Sequence, residues 1–177
     1  MITIKGSHGT TKDRAAKIRS NGFVVSGGRF LKGAYFWRES YFYIELAIGW
    51  YKDRHQAYIT AGESSPSCAV ILADLSCNDT EFLDLDRQDF RDRFAQLAEI
   101  KGVNQYNNRQ IFALYTLAIK EMEKRGGVIY KIFLLRVPPP TERNCPRYPV
   151  RLHGHPTSVI ARSNDNILMT DIHYPKV

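Results

Sequence analysis

The chain has 177 residues, 44% of them hydrophobic and 24% charged, with a formal net charge of +7. That length suits one domain with a core of its own, and the composition excludes disordered, collagen-like and coiled-coil chains. No apolar run reaches the roughly 20 residues of a membrane span, and Cys68, Cys77 and Cys145 form no CxxC pair, which argues against a disulfide framework or a zinc knuckle.

Apolar and polar residues alternate over residues 1–7, which predicts a strand ending at His8. Thr10 or Thr11 is placed to cap a helix with Ala15 and Ile18 on one face, stopped by Asn21-Gly22. Residues 23–25 read as a short extended piece, Ser26-Gly27-Gly28 as a turn, and residues 31–37 as an aromatic-rich strand. Ser40 is a candidate N-cap for a helix to about residue 54, carrying Tyr43, Leu46, Ala47 and Trp50 at helical spacing. Residues 69–75 read as a buried strand and 81–85 as an alternating one. Helices are expected over 86–100 and 107–125, the second closed by Gly126-Gly127. Residues 128–137 form the strongest predicted strand, and the Pro/Arg-rich stretch 138–156 is a loop of a length that invites function. Strands over 157–162 and 167–173, around Asn164-Asp165-Asn166, complete the chain. Strands at both ends with helices inserted between them predict an α+β architecture, one domain over residues 1–177.

The charge is uneven. Residues 1–66 carry 10 Lys and Arg against 5 Asp and Glu, residues 67–100 carry 3 against 8, and residues 101–177 carry 12 against 5. Two basic flanks brought together by the fold would favour a phosphate-bearing partner, a dinucleotide or a nucleic acid. The chain opens without a charged and then apolar leader, so a cytoplasmic location with no membrane contact is expected.

Residues 8–54 are the most informative. They run His8-Gly9-Thr10, a helix with Ala15 and Ile18, Gly22-Phe23, then Gly33-Ala34-Tyr35-Phe36-Trp37 before a second helix. This ordered series resembles the nicotinamide-binding half of ADP-ribosyltransferases of the diphtheria-toxin and poly(ADP-ribose) polymerase type. The match covers about a quarter of the chain, and over the rest the order of strands and helices is compatible. The resemblance implies a split antiparallel sheet with inserted helices and NAD as substrate. It implies that His8 holds the adenosine-side ribose, that Gly9, with Thr10 beside it, meets the nicotinamide carboxamide, and that Tyr35 lines the nicotinamide pocket. Tyr43 is the candidate second stacking aromatic, with Tyr41 next to it. On charge, Arg19, Arg29 and Lys32 are candidate pyrophosphate neighbours, of which Arg29 is carried forward as a binding residue. The residue types suit the chemistry: a nicotinamide ring needs a flat aromatic face, and a glycine lets main-chain donors and acceptors come close to an amide.

The family's third element, a Glu at the start of a late strand, has no counterpart here. The corresponding strand reads Thr157-Ser158-Val159-Ile160-Ala161-Arg162. Ser158 is the candidate catalytic residue there beside Tyr35. Thr157 and a carboxylate from elsewhere (Glu39, Glu45 or Asp165) remain open. A hydroxyl can orient a ribose without offsetting a cationic transition state as a carboxylate does, which points to mono-ADP-ribosyl transfer rather than chain elongation. Arg162 shares a strand face with Ser158 and is a candidate phosphate or target contact. His153-Gly154-His155 lacks further ligands at metal-site spacing, so no metal is expected. Arg143, Arg147 and Arg151 lie just before the strand where relatives recognise targets. The expected function is mono-ADP-ribosyl transfer from NAD to a macromolecule, nucleic acid slightly ahead of protein, by a toxin or defence effector, with an antitoxin or inhibitor protein as a further partner. The alternatives are a catalytically silent domain that binds NAD, RNA or protein, and an NAD glycohydrolase.

Overall fold

The computed structural model describes residues 1–25, 30–63, 66–104 and 107–177. In chain order the elements are β1 (Ile2–Thr11), α1 (Lys12–Asn21), β2 (Ala34–Arg38), α2 (Tyr43–Thr60), β3 (Cys68–Cys77), β4 (Phe82–Asp84), α3 (Gln88–Ile100), α4 (Asn108–Gly126), β5 (Ile132–Arg136), α5 (Val150–His153), β6 (Thr157–Ala161) and β7 (Ile167–His173). Short 3-10 turns precede β4 and β7. The strands form one sheet in the order β4-β5-β6-β2-β1-β3-β7. All neighbours are antiparallel except β4 and β5. The architecture is therefore α+β, as the order of predicted elements implied.

Strand alternation sorts the apolar residues onto two faces. Trp37, Phe133, Leu135 and Ile160 pack with Leu46 and Ala47 of α2 and Ile119 of α4. Phe36, Ile132, Leu134 and Val159 pack with Ala15 of α1 on the opposite face. A fully buried side chain such as Leu46 contributes about 1.5–3 kcal/mol of transfer free energy, so α2 is held chiefly by its sheet-facing side.

Several boundaries differ from the pattern in the sequence. Strand β1 continues past His8 to Thr11 because β3 pairs with it from Ile2↔Cys77 to Thr11↔Cys68. The cap of α1 is Thr11, whose hydroxyl accepts from Arg14 N–H at 3.2 Å. Helix α2 starts at Tyr43 with no side-chain cap and runs to Thr60; Ser40 contributes its carbonyl, which accepts from Tyr43 N–H at 3.3 Å. Strand β5 begins only at Ile132, because Tyr130 N–H is drawn to the Glu123 carboxylate at 3.0 Å and Lys131 N–H to the Glu81 carbonyl at 2.8 Å. Helix α4 follows its reading closely: the Asn107 side chain accepts from Arg109 and Gln110 N–H, and Gly127 at φ 62° ends it.

The sheet is narrowest at its centre. The ladder between β1 and β2 consists of Gly6↔Arg38 and Ser7↔Trp37 alone, whereas β1 and β3 pair over ten positions. The four strands β4-β5-β6-β2 and the three strands β1-β3-β7 thus meet over two residue pairs and open on the His8 side of them. Among the described residues no helix is long and apolar enough to cross a membrane.

Candidate functional site

The opening between β1 and β2 is bridged by a side chain. His8 Nδ1 lies 2.8 Å from the carbonyl oxygen of Tyr35. A carbonyl can only accept, so Nδ1 carries the proton. Burial is the largest influence on the ring and pushes its pKa below the ordinary 6.5; the Tyr35 contact opposes this and the Arg14 charge adds to it. The imidazole is therefore neutral at pH 7 and keeps Nε2 as an acceptor. Phe23 meets the ring edge-on at 5.2 Å and Phe36 lies tilted at 5.7 Å. Phe23 is fixed in turn by Asn164, which accepts from its N–H at 2.8 Å and donates to its carbonyl at 3.0 Å. Residues 22–25 form no strand, and these two bonds hold Phe23 in place.

Glu39 N–H donates to the Lys5 carbonyl at 2.8 Å, which fixes the parity of β1. The main-chain groups of Lys5, Ser7 and Gly9 face β2, and those of Gly6, His8 and Thr10 face β3. Continuing the register would pair Gly9 with Tyr35, but the ladder ends at Ser7↔Trp37. The polar main chain of Gly9 is thus directed at the opening. The missing side chain of Gly9 points elsewhere: a Cβ there would lie 1.8 Å from the Ala47 carbonyl oxygen and 2.6 Å from its carbon. Helix α2 rests directly on the backbone of β1, and Ser7 secures it by donating its hydroxyl to the Tyr43 carbonyl at 2.6 Å.

A cavity of about 1990 Å³ surrounds this opening and reaches both sheet faces. His8, Gly9, Thr10, Tyr35 and Ser158 line it. The volume exceeds the ~300–1,000 Å³ usual for small-molecule sites, leaving room for a dinucleotide and more. Among the described residues six cations stand on its walls, Arg14, Lys17, Lys52, Arg54, Arg109 and Arg143, against two carboxylates, Asp53 and Glu63. Both carboxylates are committed. Asp53 accepts from Thr141 N–H at 3.0 Å, Thr141 Oγ1 at 2.7 Å and Asn144 Nδ2 at 2.6 Å. Glu63 takes Arg14 Nε at 2.5 Å and the Thr11 hydroxyl.

Tyr35 serves the loop beside it. Its hydroxyl accepts from the N–H groups of Phe30 and Leu31 at 3.1 and 2.7 Å and donates to the Leu31 carbonyl at 2.8 Å. Burial raises its pKa, so the phenol stays protonated. Ser158 is buried between its partners Trp37 and Leu135, and its hydroxyl donates to the Phe36 carbonyl at 3.0 Å. Thr10 is buried beside His8.

Other expected residues lie apart from the cavity. Tyr43 opens α2 half-buried against the core and is absent from the lining, and Tyr41 is 80% exposed. The rings that α2 and α4 bring to the cavity are Trp50, Tyr58 and Phe112 instead. Arg29 lies outside the described residues. Arg162 donates to the Glu123 carboxylate and, at 3.0 Å, to the Tyr130 carbonyl, with its guanidinium 5.2 Å from the Phe133 ring. It is occupied in docking α4.

Of the carboxylates weighed from sequence, Glu39 is exposed, Glu45 pairs with Arg147 at 3.3 Å, and Asp165 is exposed beside Ser163. A carboxylate does stand at the start of β6, and it comes from the β4–α3 turn. Asp86 accepts from Arg136 N–H at 2.6 Å and from Thr157 Oγ1 at 3.2 Å. It lines a smaller hollow of about 360 Å³ with Arg91, Tyr115 and Arg136. Nothing local in the sequence pairs Asp86 with Thr157, 71 positions apart; only the β5–β6 register does. No family model matches this chain, and no curated protein matches its sequence.

Proposed function

We propose that this chain binds NAD in the opening between β1 and β2 and transfers its ADP-ribose to a macromolecular acceptor, as a mono-ADP-ribosyltransferase of toxin or defence type with the split sheet of that fold. The observation that carries the reading is the His8 bridge: the imidazole takes the Tyr35 carbonyl just where the ladder ends, beside a Gly9 main chain facing the opening. A carboxamide needs one donor and one acceptor at close range, and the Gly9 main chain offers both. His8 Nε2 would accept from a ribose hydroxyl. Tyr35 would shape the pocket by holding residues 30 and 31. Cations on the walls would receive the pyrophosphate.

In the transfer, the bond between nicotinamide nitrogen and ribose C1′ breaks and its electron pair leaves with nicotinamide. An acceptor oxygen or nitrogen then bonds to C1′ and gives up its proton. Cationic character at C1′ calls for negative charge nearby, and the two carboxylates on the cavity walls are already committed. That observation favours a second reading, binding of NAD without transfer. Incubation with labelled NAD and separate pools of RNA, DNA and protein distinguishes the outcomes. Label on one pool supports transfer, free ADP-ribose indicates hydrolysis, and neither product from a chain that binds NAD indicates the silent reading.

A further inference from the structure

The cavity walls differ in character. On the α1 side Arg14 is neutralised by Glu63, which leaves Lys17 beside the His8 opening. The far wall, built by α2, the start of α4 and the loop after Pro140, carries Lys52, Arg54, Arg109 and Arg143, all exposed, against Asp53 alone. None of the four cations has an ion pair among the described residues. Two half-buried aromatic rings line the same cavity, Trp50 beside Arg54 and Phe112 one turn along α4 from Arg109. The Arg54 guanidinium lies over Trp50 at 5.3 Å, so the ring already accepts a flat cation on one face. Asp53 holds this wall together: its three bonds to Thr141 and Asn144 tie α2 to the loop that carries Arg143.

Cations with no ion pair among the described residues, together with flat rings on a concave surface, match the chemistry of a single nucleic-acid strand. Phosphates are met by the cations, and unstacked bases by the rings. A duplex presents phosphates but keeps its bases stacked on one another, so Trp50 and Phe112 would have nothing to meet. An acidic protein would satisfy the cations and leave the rings unused. We propose that this wall binds single-stranded nucleic acid and is where the acceptor of the transfer enters, an assignment that rests on the NAD reading for its catalytic meaning but not for the binding itself.

The test measures binding of labelled single-stranded oligonucleotides, RNA and DNA, by fluorescence anisotropy with no NAD present, across a salt series. Four phosphate contacts predict a slope of log K against log salt of about −3. Arg109→Glu combined with Arg143→Glu, both at exposed positions, should make the slope shallower by about 1.4 and weaken binding at least about tenfold. Trp50→Ala should weaken binding about fivefold or more while leaving the slope unchanged. Should that variant fold poorly, Phe112→Ala gives the same readout. The proposal is overturned by no binding at low salt, by a duplex binding as tightly as the single strand, or by polyglutamate competing as well as an oligonucleotide of equal charge. The last result would assign the wall to an acidic protein. Because NAD is absent throughout, strand binding without later transfer would count against the NAD reading alone.

Discussion

Replacing Gly9 with alanine places a methyl group against the backbone of α2. Its Cβ would stand 1.8 Å from the Ala47 carbonyl oxygen and 3.2 Å from the Ala47 Cα, where contacts under 3.0 Å essentially do not occur. The obstacle is main chain inside a helix, so no side chain can rotate away. Either α2 lifts or β1 yields, and both disturb Ser7, whose hydroxyl holds the first residue of the helix. Overpacking of a tight site costs about 1–3 kcal/mol and occasionally more. With rigid atoms on both sides the upper end applies, about 3 kcal/mol. For a chain of this size each kcal/mol moves Tm by about 2–4 °C, which gives a loss of about 6–12 °C. Thermal unfolding followed by circular dichroism, without any ligand, measures it. A Gly9→Ala protein melting within about 2 °C of wild type would refute the close approach of α2 and leave ligand contact as the sole reason for glycine here.

Further outcomes follow from the same contacts. Tyr35→Phe removes the hydroxyl that accepts from Leu31 N–H and donates to its carbonyl and should cost about 1–3 kcal/mol, with faster amide exchange at Leu31. Burial holds the His8 pKa below 6.5, so below that pH the unfolded chain binds a proton that the folded chain refuses. Stability from His8 is full above pH 6.5 and falls as pH drops toward the folded pKa, by at most about 1.4 kcal/mol per pH unit; urea unfolding of His8→Gln should lack that slope. Ser158→Ala removes a buried bond to the Phe36 carbonyl and should cost about 1 kcal/mol while leaving NAD affinity within about twofold. Glu39→Gln and Glu45→Gln, both away from the cavity lining, should leave single-turnover transfer unchanged; a large loss in either would place its carboxylate at the reacting ribose.

What the sequence made legible was local. Alternation identified β1 and β4, an apolar run identified β3, helical spacing identified α3 and α4, and Thr11 and Gly127 act at the ends where their chemistry placed them. The candidate site was legible only as a set of residues. His8, Gly9, Tyr35 and Ser158 do line one cavity, yet three of the four have further tasks that periodicity cannot express. Gly9 admits a helix, Tyr35 ties a loop, and Ser158 closes a buried bond. Tyr43 lies off the cavity lining, and the start of α2 rests on Ser7 and on the Ser40 carbonyl, neither of which leaves a capping signature. Asn164 read as a turn residue, and its hold on Phe23, 141 positions away, comes from tertiary structure alone. The same is true of Asp86 at Thr157.

Whether the β1–β2 opening is an NAD site is decided by thermal unfolding of the wild-type chain with increasing NAD. A ligand at about one hundred times its Kd stabilises by about 2.7 kcal/mol, which corresponds to about 5–11 °C for this length. NAD bound at this opening gives a saturating rise of that order, reduced by more than half in a folded His8→Ala protein. A wild-type Tm that does not move at millimolar NAD would contradict it.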